Sequence, residues 1–194
     1  MRYSQDHKAQ TYERIVKEAS ARFRRDGIAG TGLQPLMKAL GLTHGGFYAH
    51  FASKQALVET ALRDASAQMD QVTADAARSE APVATLIDRY LSKAHRDHPE
   101  QGCPLPTIAA ELGQRGEPSD IADGAVLSRL EMIAQNLSGD DSQAHASVIL
   151  SALIGALVLS RSVKDAALSE RILEDAKRVL KAGIDQQAGY PKKT

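Results

Sequence analysis

The side chains best placed for binding chemistry in this sequence are concentrated in residues 41–57, Gly-Leu-Thr-His-Gly-Gly-Phe-Tyr-Ala-His-Phe-Ala-Ser-Lys-Gln-Ala-Leu. Each glycine in a short helix lowers its stability by roughly 0.5–1 kcal/mol relative to alanine, so the presence of both Gly45 and Gly46 requires an explanation. Close approach of another molecule to the bare backbone is one such reason. A helix that begins after Ser53 adds free N–H groups and the cation of Lys54, which together suit a phosphate. The stretch therefore indicates a surface that binds phosphate groups.

Motifs typical of catalysis are missing from the sequence. It has no phosphate-binding glycine loop, no metal-type His/Cys spacing and no nucleophile elbow. His95 and His98 have no third convergent ligand, and the acids Asp140 and Asp141 follow Gly139 in a loop, where they suit helix capping. We therefore expect a protein that is not an enzyme and that uses no metal and no cofactor.

The elements that would position residues 41–57 follow a helix-turn-helix order. The signals predict, in chain order, a helix over 8–26 ended by Gly27, a short helix over 33–40 capped by Thr31 or Gly32, a turn at Gly41-Leu42, and a second short helix over 44–50 capped by Thr43. Two short helices joined by a glycine turn are typical of DNA-binding heads. In such a head the second helix enters the major groove, and Phe47 and Phe51 would face its own core.

The rest of the sequence predicts more helices and no strand, because no segment alternates apolar and polar residues. Ser53 caps a long helix that begins at Lys54. Further helices are predicted over 83–97, 105–114, 119–137, 142–162 and 168–187. We therefore expect an all-α protein.

Charge is distributed unevenly along a chain whose formal net charge is zero. Residues 1–60 hold nine Lys and Arg against five Asp and Glu, a net charge of +4, and the rest of the chain carries −4. This difference favours a small head that binds a polyanion, joined to an acidic body. Arg22, Arg24 and Arg25 lie in the last turn of the first helix, either as a solvated helix end or in contact with phosphate.

One set of residues carries a family resemblance: Ala19, Phe23, Gly27, Thr31, Leu36, Gly41-Leu42-Thr43 and the string Phe47-Tyr48-x-His50-Phe51-x-Ser53-Lys54-x-x-Leu57. Over 15–62 the chain resembles the TetR-type (TetR/AcrR) family of transcriptional repressors. The resemblance implies a three-helix DNA-binding head with a helix-turn-helix at residues 1–55. It also implies a larger helical ligand-binding and dimerisation bundle at residues 56–194.

The resemblance further implies which residues contact DNA. Those against the bases are Thr43, His44, Gly45 and Gly46. Those at or near phosphates are Tyr48, His50 and Lys54. Thr31 and Gln34 complete the predicted DNA-binding set.

Two positions depart from the usual family pattern. Pro35 replaces a polar residue of the second helix, and Gly45 and Gly46 leave few side chains to read bases, so DNA shape would carry part of the specificity. Each contact has a simpler alternative: Tyr48 and Lys54 merely solvated, His50 braced by an internal hydrogen bond, and His44 merely exposed.

The long apolar helix over 142–162 predicts an association surface. Small residues let helices approach closely, and the predicted homodimer interface comprises Ser151, Ala152, Gly155, Ala156 and Leu159. The alternative is an ordinary core helix in a monomer. The near-apolar run over 146–160 is shorter than the ~20 residues that span a bilayer, so we expect no membrane contact.

The middle helices predict a cavity for a small-molecule inducer, since ligands often bind between the helices of a bundle. The candidate lining residues are Met69, Leu86, Tyr90, Cys103, Ile108, Leu112, Met132 and Gln135. Ordinary core is the alternative for each of them.

Cys103 is the single cysteine, which suits a reducing cytosol, and we expect a cytoplasmic protein. It lies at the predicted start of a helix, a position that lowers a thiol pKa. Cys103 would then be either a thiol sensor of oxidants or electrophiles, or a buried packing residue. The sensor is the alternative to an ordinary ligand-responsive repressor that binds a palindromic operator.

Overall fold

The structure, a computed structural model, describes residues 2–116 and 118–188, with side chains at 6–116 and 118–184. Its helices are α1 (Arg2–Gly30), α2 (Leu33–Ala39), α3 (Lys54–Ala77), α4 (Pro82–Tyr90), α5 (Lys93–Asp97), α6 (Leu105–Arg115), α7 (Asp120–Gln135), α8 (Ser142–Ser162) and α9 (Ala166–Ala188). Two 3-10 helices, Gly45–Ala49 and Pro99–Gln101, lie between them. No strand occurs within these ranges, so the predicted all-α class is confirmed.

The chain forms two compact units, and each includes two separate stretches of sequence. The first unit is Met1–Gln68 with Pro99–Ile121, and the second is Met69–His98 with Ala122–Thr194. The first unit extends beyond residue 55 because α6 packs on α1. The functional division at residue 55 stays a prediction.

The core of the first unit joins the helix-turn-helix elements to α1. Ile15, Ala19 and Phe23 form one stripe of α1, spaced by four residues, and each is at most 1% exposed. Leu36 of α2 and Phe47 of the Gly45–Ala49 turn are completely buried. Burying each leucine or phenylalanine contributes roughly 1.5–3 kcal/mol, so this apolar cluster holds the turn in place.

A break at Gly27 separates α1 into a long helix and a final short turn. Gly27 adopts φ 79° and ψ 170°, a conformation that is not helical and is essentially restricted to glycine. The predicted stop is therefore confirmed, although helical structure resumes after it and runs to Gly30. The helix also begins earlier than predicted, at Arg2.

The second unit is built on the pair α8 and α9, against which α4 packs. Leu153 and Leu157 of α8, Leu173 of α9 and Ile87 of α4 are at most 1% exposed. The single helix predicted over 83–97 is two helices. Helix α5 begins as a separate helix because the Ser92 hydroxyl caps it, accepting a hydrogen bond from the His95 amide at 3.1 Å.

Helix α8 has 21 residues and is long and apolar enough to span a membrane by length and composition, contrary to the shorter run counted in the sequence. One such helix is weak evidence for a membrane span, because the core helix of a soluble protein can have the same length and composition. Only a minority of its residues is buried within the described chain. Its apolar surface is therefore available to a partner.

Candidate nucleic-acid interface

The segment predicted as a recognition helix is a single 3-10 helix, Gly45–Ala49, rather than an α-helix. Its backbone bonds connect residues three apart, as in Phe47 N–H to the His44 carbonyl at 3.2 Å. The Thr43 hydroxyl accepts a hydrogen bond from Gly46 N–H at 3.2 Å, which is the capping role predicted for it. A five-residue segment with two glycines gains little from α-helical bonds, so the tighter 3-10 form is a reasonable outcome.

One face of this turn is open to solvent. Thr43, His44 and Gly45 are exposed, and Tyr48 is 60% exposed, whereas Phe47 directly before it is completely buried. The Tyr48 ring meets the rings of Phe47 and His44 edge to face, with centroids 5.2 and 5.9 Å away. These contacts orient Tyr48 while its hydroxyl end remains accessible.

The two glycines have different surroundings. A Cβ atom added at Gly45 would meet nothing within 4 Å, so a ligand can reach the backbone there. A Cβ added at Gly46 would lie 3.3 Å from the Thr43 hydroxyl oxygen. A side chain at Gly46 would therefore press on the Thr43 cap.

Thr31 and Gln34, the two predicted DNA contacts that precede the Gly45–Ala49 helix, differ in accessibility. Gln34 of α2 is exposed, as a DNA contact requires. Thr31 is only 3% exposed, and its hydroxyl donates a hydrogen bond to the Gly27 carbonyl at 2.7 Å. We therefore remove the Thr31 side chain from the candidate interface and assign it a structural role.

Lys54 and Ser53 are placed at the start of α3. The Ser53 hydroxyl accepts a hydrogen bond from Ala56 N–H at 3.1 Å, as its predicted capping role requires. Lys54 is half-buried, and its Nζ donates to the Ile28 carbonyl at 2.7 Å. An ammonium group has three donors, so this bond leaves two for a phosphate.

His50 borders a groove that sequence reasoning did not anticipate. The groove has a volume of about 360 Å³ and is lined by His7, Lys8, Thr11, Met37, Leu42, Thr43, Gly46, Ala49 and His50. The His50 Nδ1 atom is buried and has no hydrogen-bond partner in the described part of the chain, so the predicted internal brace is not found at that atom. Burial, and secondarily the charge of Lys8, lowers the pKa of His50, which favours the neutral ring.

His7 was missed because the first helix was expected to begin at about residue 8. Lys8 and Thr11 lie within that expected helix and were missed because the groove forms only where α1 meets Thr43 and His50. Helical spacing provides the signal that could have found them, since Lys8, Thr11 and the buried Ile15 recur at three and four residues.

Arg22, Arg24 and Arg25, near the end of α1, each bond to other groups of the protein. Arg24 is 4% exposed and donates to the carbonyls of Ser20 and Gly102 at 3.1 and 3.2 Å, so both interpretations of its role, solvated or phosphate-bound, are wrong. Desolvation by burial lowers the pKa of Arg24. Arg22 and Arg25 each pair with an acidic side chain of α1, at 2.7 and 2.8 Å.

The predicted inducer-pocket residues divide between the two units. Cys103, Ile108 and Leu112 are buried in the first unit, and Met69, Leu86 and Tyr90 are buried in the second. In the second unit Met132 is half-buried and Gln135 is exposed. Neither unit by itself brings the whole set together.

The predicted dimer residues lie along α8 with unequal exposure. Ser151 is exposed and Leu159 is 56% exposed, Ala152 and Gly155 are half-buried, and Ala156 is 9% exposed and packs in the core. A Cβ added at Gly155 would meet nothing within 4 Å, so the space over this helix is open.

More exposed apolar side chains surround this surface. They are Val148 at 64%, Val158 at 38% and, on α9, Val179 at 59%. Exposed apolar side chains on neighbouring helices commonly mark an association surface.

Comparison with known proteins supports a helix-turn-helix DNA-binding head. Residues 15–61 match the family model described as bacterial regulatory proteins, tetR family. No curated protein matches the chain.

Solved structures share the fold over nearly the whole chain. A TetR transcriptional regulator from Chloroflexus aurantiacus J-10-FL is 26% identical with a TM-score of 0.78, over 96% of this chain and 98% of that one. A TetR-family regulator from Cytophaga hutchinsonii is 23% identical with a TM-score of 0.72, over 92% and 96%. The reduced form of NemR from E. coli is 20% identical with a TM-score of 0.71, over 89% and 96%. Residues 15–61 therefore carry the helix-turn-helix DNA-binding segment of the tetR family, and the chain has the fold of TetR-type transcriptional regulators.

Proposed function

We propose that this protein is a ligand-responsive repressor that binds a palindromic DNA operator as a homodimer and releases it when a small-molecule inducer binds. The observation that carries the proposal is the exposed face of the Gly45–Ala49 turn, held over the completely buried Phe47. It acts by binding rather than by catalysis, and it works in the cytoplasm.

On the DNA side, base edges meet Thr43, His44 and the bare backbone at Gly45 and Gly46. Gln34 approaches the same groove from α2. Phosphates meet the Tyr48 hydroxyl, His50 and the free donors of Lys54. Lys8 extends this contact along the groove that it shares with His50. A neutral His50 would donate a hydrogen bond to a phosphate without adding charge.

Dimerisation uses α8 and α9. Leu159 and Val179 are more than half exposed, and the open backbone at Gly155 allows a partner helix to approach closely. A two-fold interface would present two copies of the Gly45–Ala49 turn to half-sites about one DNA turn apart, or a multiple of it.

Inducer response follows from a population shift. A ligand that binds free protein more tightly than DNA-bound protein weakens operator binding by the same factor, typically about 5- to 150-fold. We place the inducer among the middle helices of the second unit, with the buried Met69, Leu86 and Tyr90 as lining candidates. Cys103 is 2% exposed, which does not favour the thiol-sensor alternative.

The decisive experiment selects bound duplexes from a random pool and then measures the affinity of the selected site at several salt concentrations. We expect a palindromic site and a steep loss of affinity with salt, about a thousandfold between roughly 50 and 200 mM if six or more phosphates are contacted. A protein that retains no duplex even at low salt would refute the proposal.

Two variants refine this experiment. His44→Ala should lower discrimination between the selected site and its base variants about tenfold or more. Arg178→Ala is the matched control, because Arg178 is an exposed cation on α9, paired with Asp175 and remote in sequence from the turn. It should leave both affinity and discrimination unchanged. Equal discrimination by the two variants would contradict a base-reading role for His44.

A further inference from the structure

The break at Gly27 leaves two backbone donors without helical partners, and a distant side chain satisfies both. One carboxylate oxygen of Glu111, on α6, accepts a hydrogen bond from Ile28 N–H at 2.7 Å. The other accepts from Ala29 N–H at 2.8 Å. Glu111 therefore caps the short helical turn that follows Gly27, although it lies 83 residues further along the chain.

Two other side chains hold the same segment, residues 27–31, which we call the joint. Lys54, at the start of α3, donates to the Ile28 carbonyl at 2.7 Å. Thr31 donates to the Gly27 carbonyl at 2.7 Å. The peptide groups of the joint are thus fixed by α6, by α3 and by the joint's own last residue.

The joint matters because the DNA-facing elements are attached to it. Helix α2 begins at Leu33, immediately after the joint, and α3 begins at Lys54, shortly after the Gly45–Ala49 turn. A shift of α6 by about 1 Å along either bond would stretch a 2.7 or 2.8 Å contact beyond hydrogen-bond distance. Withdrawal of the carboxylate would therefore leave two amide donors without a partner in the segment that leads into α2.

We propose that Glu111 is a positioning residue for operator binding: it holds the joint, and through it the DNA-facing elements, in the orientation that fits the groove. This inference rests on the proposed DNA-binding function. Glu111 itself touches no DNA.

The test compares Glu111→Gln with Thr107→Val in the full-length protein, using the operator selected by the wild type. Thr107 is a matched control because its hydroxyl also bonds α6 to α1, donating to the Arg24 carbonyl at 2.8 Å before the joint. The glutamine amide has one acceptor oxygen, so it cannot offer each donor an oxygen of its own, and its NH2 group would face one of the two N–H groups. We expect Glu111→Gln to lower operator affinity at least tenfold and to speed amide hydrogen exchange at Ile28 and Ala29. Thr107→Val should leave both within about twofold of the wild type.

Each outcome decides a separate question. Wild-type protein that binds no duplex refutes the proposed function, whereas wild-type binding with an unchanged Glu111→Gln affinity refutes only the positioning role. Equal losses in Glu111→Gln and Thr107→Val would show that general loosening between α6 and α1 is sufficient, which also overturns the proposal. If circular dichroism shows that Glu111→Gln is unfolded, Thr31→Val decides: it removes the side-chain bond to the Gly27 carbonyl at the joint, and unchanged affinity would refute the proposal.

Discussion

Replacing Gly27 with alanine tests whether the joint contributes to stability as the geometry indicates. Gly27 has φ 79° and ψ 170°, where an L residue is strained by about 1–3 kcal/mol. The added Cβ would lie 2.8 Å from the Oε2 atom of Glu111. The flexible carboxylate can move away, but Oε2 then gives up its bond to Ile28 N–H, and a hydrogen bond to a charged group contributes about 1.5–3 kcal/mol. We expect Gly27→Ala to lower the free energy of unfolding by about 3–5 kcal/mol.

Equilibrium unfolding in urea at one fixed protein concentration measures this loss, because the stability of a dimer depends on concentration. Gly30→Ala provides the control within the joint. Its added Cβ would be 3.6 Å from the Asp26 Cβ, an ordinary contact, and Gly30 has no positive φ. We expect Gly30→Ala to be within about 1 kcal/mol of the wild type, since alanine favours a helix. A Gly27→Ala variant as stable as Gly30→Ala would show that the reasoning about the joint is wrong.

Three further predictions concern other parts of the chain. Leu159→Lys should convert dimer to monomer in analytical ultracentrifugation, whereas Leu127→Lys, at the same 56% exposure on α7, should not; equal effects would contradict the proposed interface. Burial lowers the pKa of His95 from 6.5 to about 4, so the unfolded chain binds a proton that the folded chain does not as pH falls through this window. About 2–3 kcal/mol of stability should be lost by pH 4, and urea titrations of His95→Gln should show a smaller loss between pH 7 and pH 4 than the wild type does. Cys103→Ser should leave the response of the operator complex to electrophiles unchanged; loss of a wild-type response in this variant would restore the sensor hypothesis.

Local signals in the sequence were sufficient for most of the helices and for the caps at Thr43 and Ser53, but not for the 3-10 form of Gly45–Ala49 or the division between α4 and α5. Ser53 and Thr43 cap the elements that follow them because their hydroxyls reach N–H groups only three residues away. Phe47 and Phe51 are buried, as predicted from their position on the inward face of the helix-turn-helix. The family resemblance over 15–62 identified the DNA-binding head from the same short stretch.

Contacts between distant residues could not be predicted in this way. Thr31 and Arg24 look like exposed polar residues in the sequence, yet both are buried, and Arg24 lies where α6 and the Pro99–Gln101 helix pack on α1. Glu111 has no local pattern that marks it, because its partners at the joint are more than 80 residues away. Hydrogen bonds within one helical turn follow from neighbouring residue types, whereas a carboxylate that caps another element depends on where the tertiary fold places it.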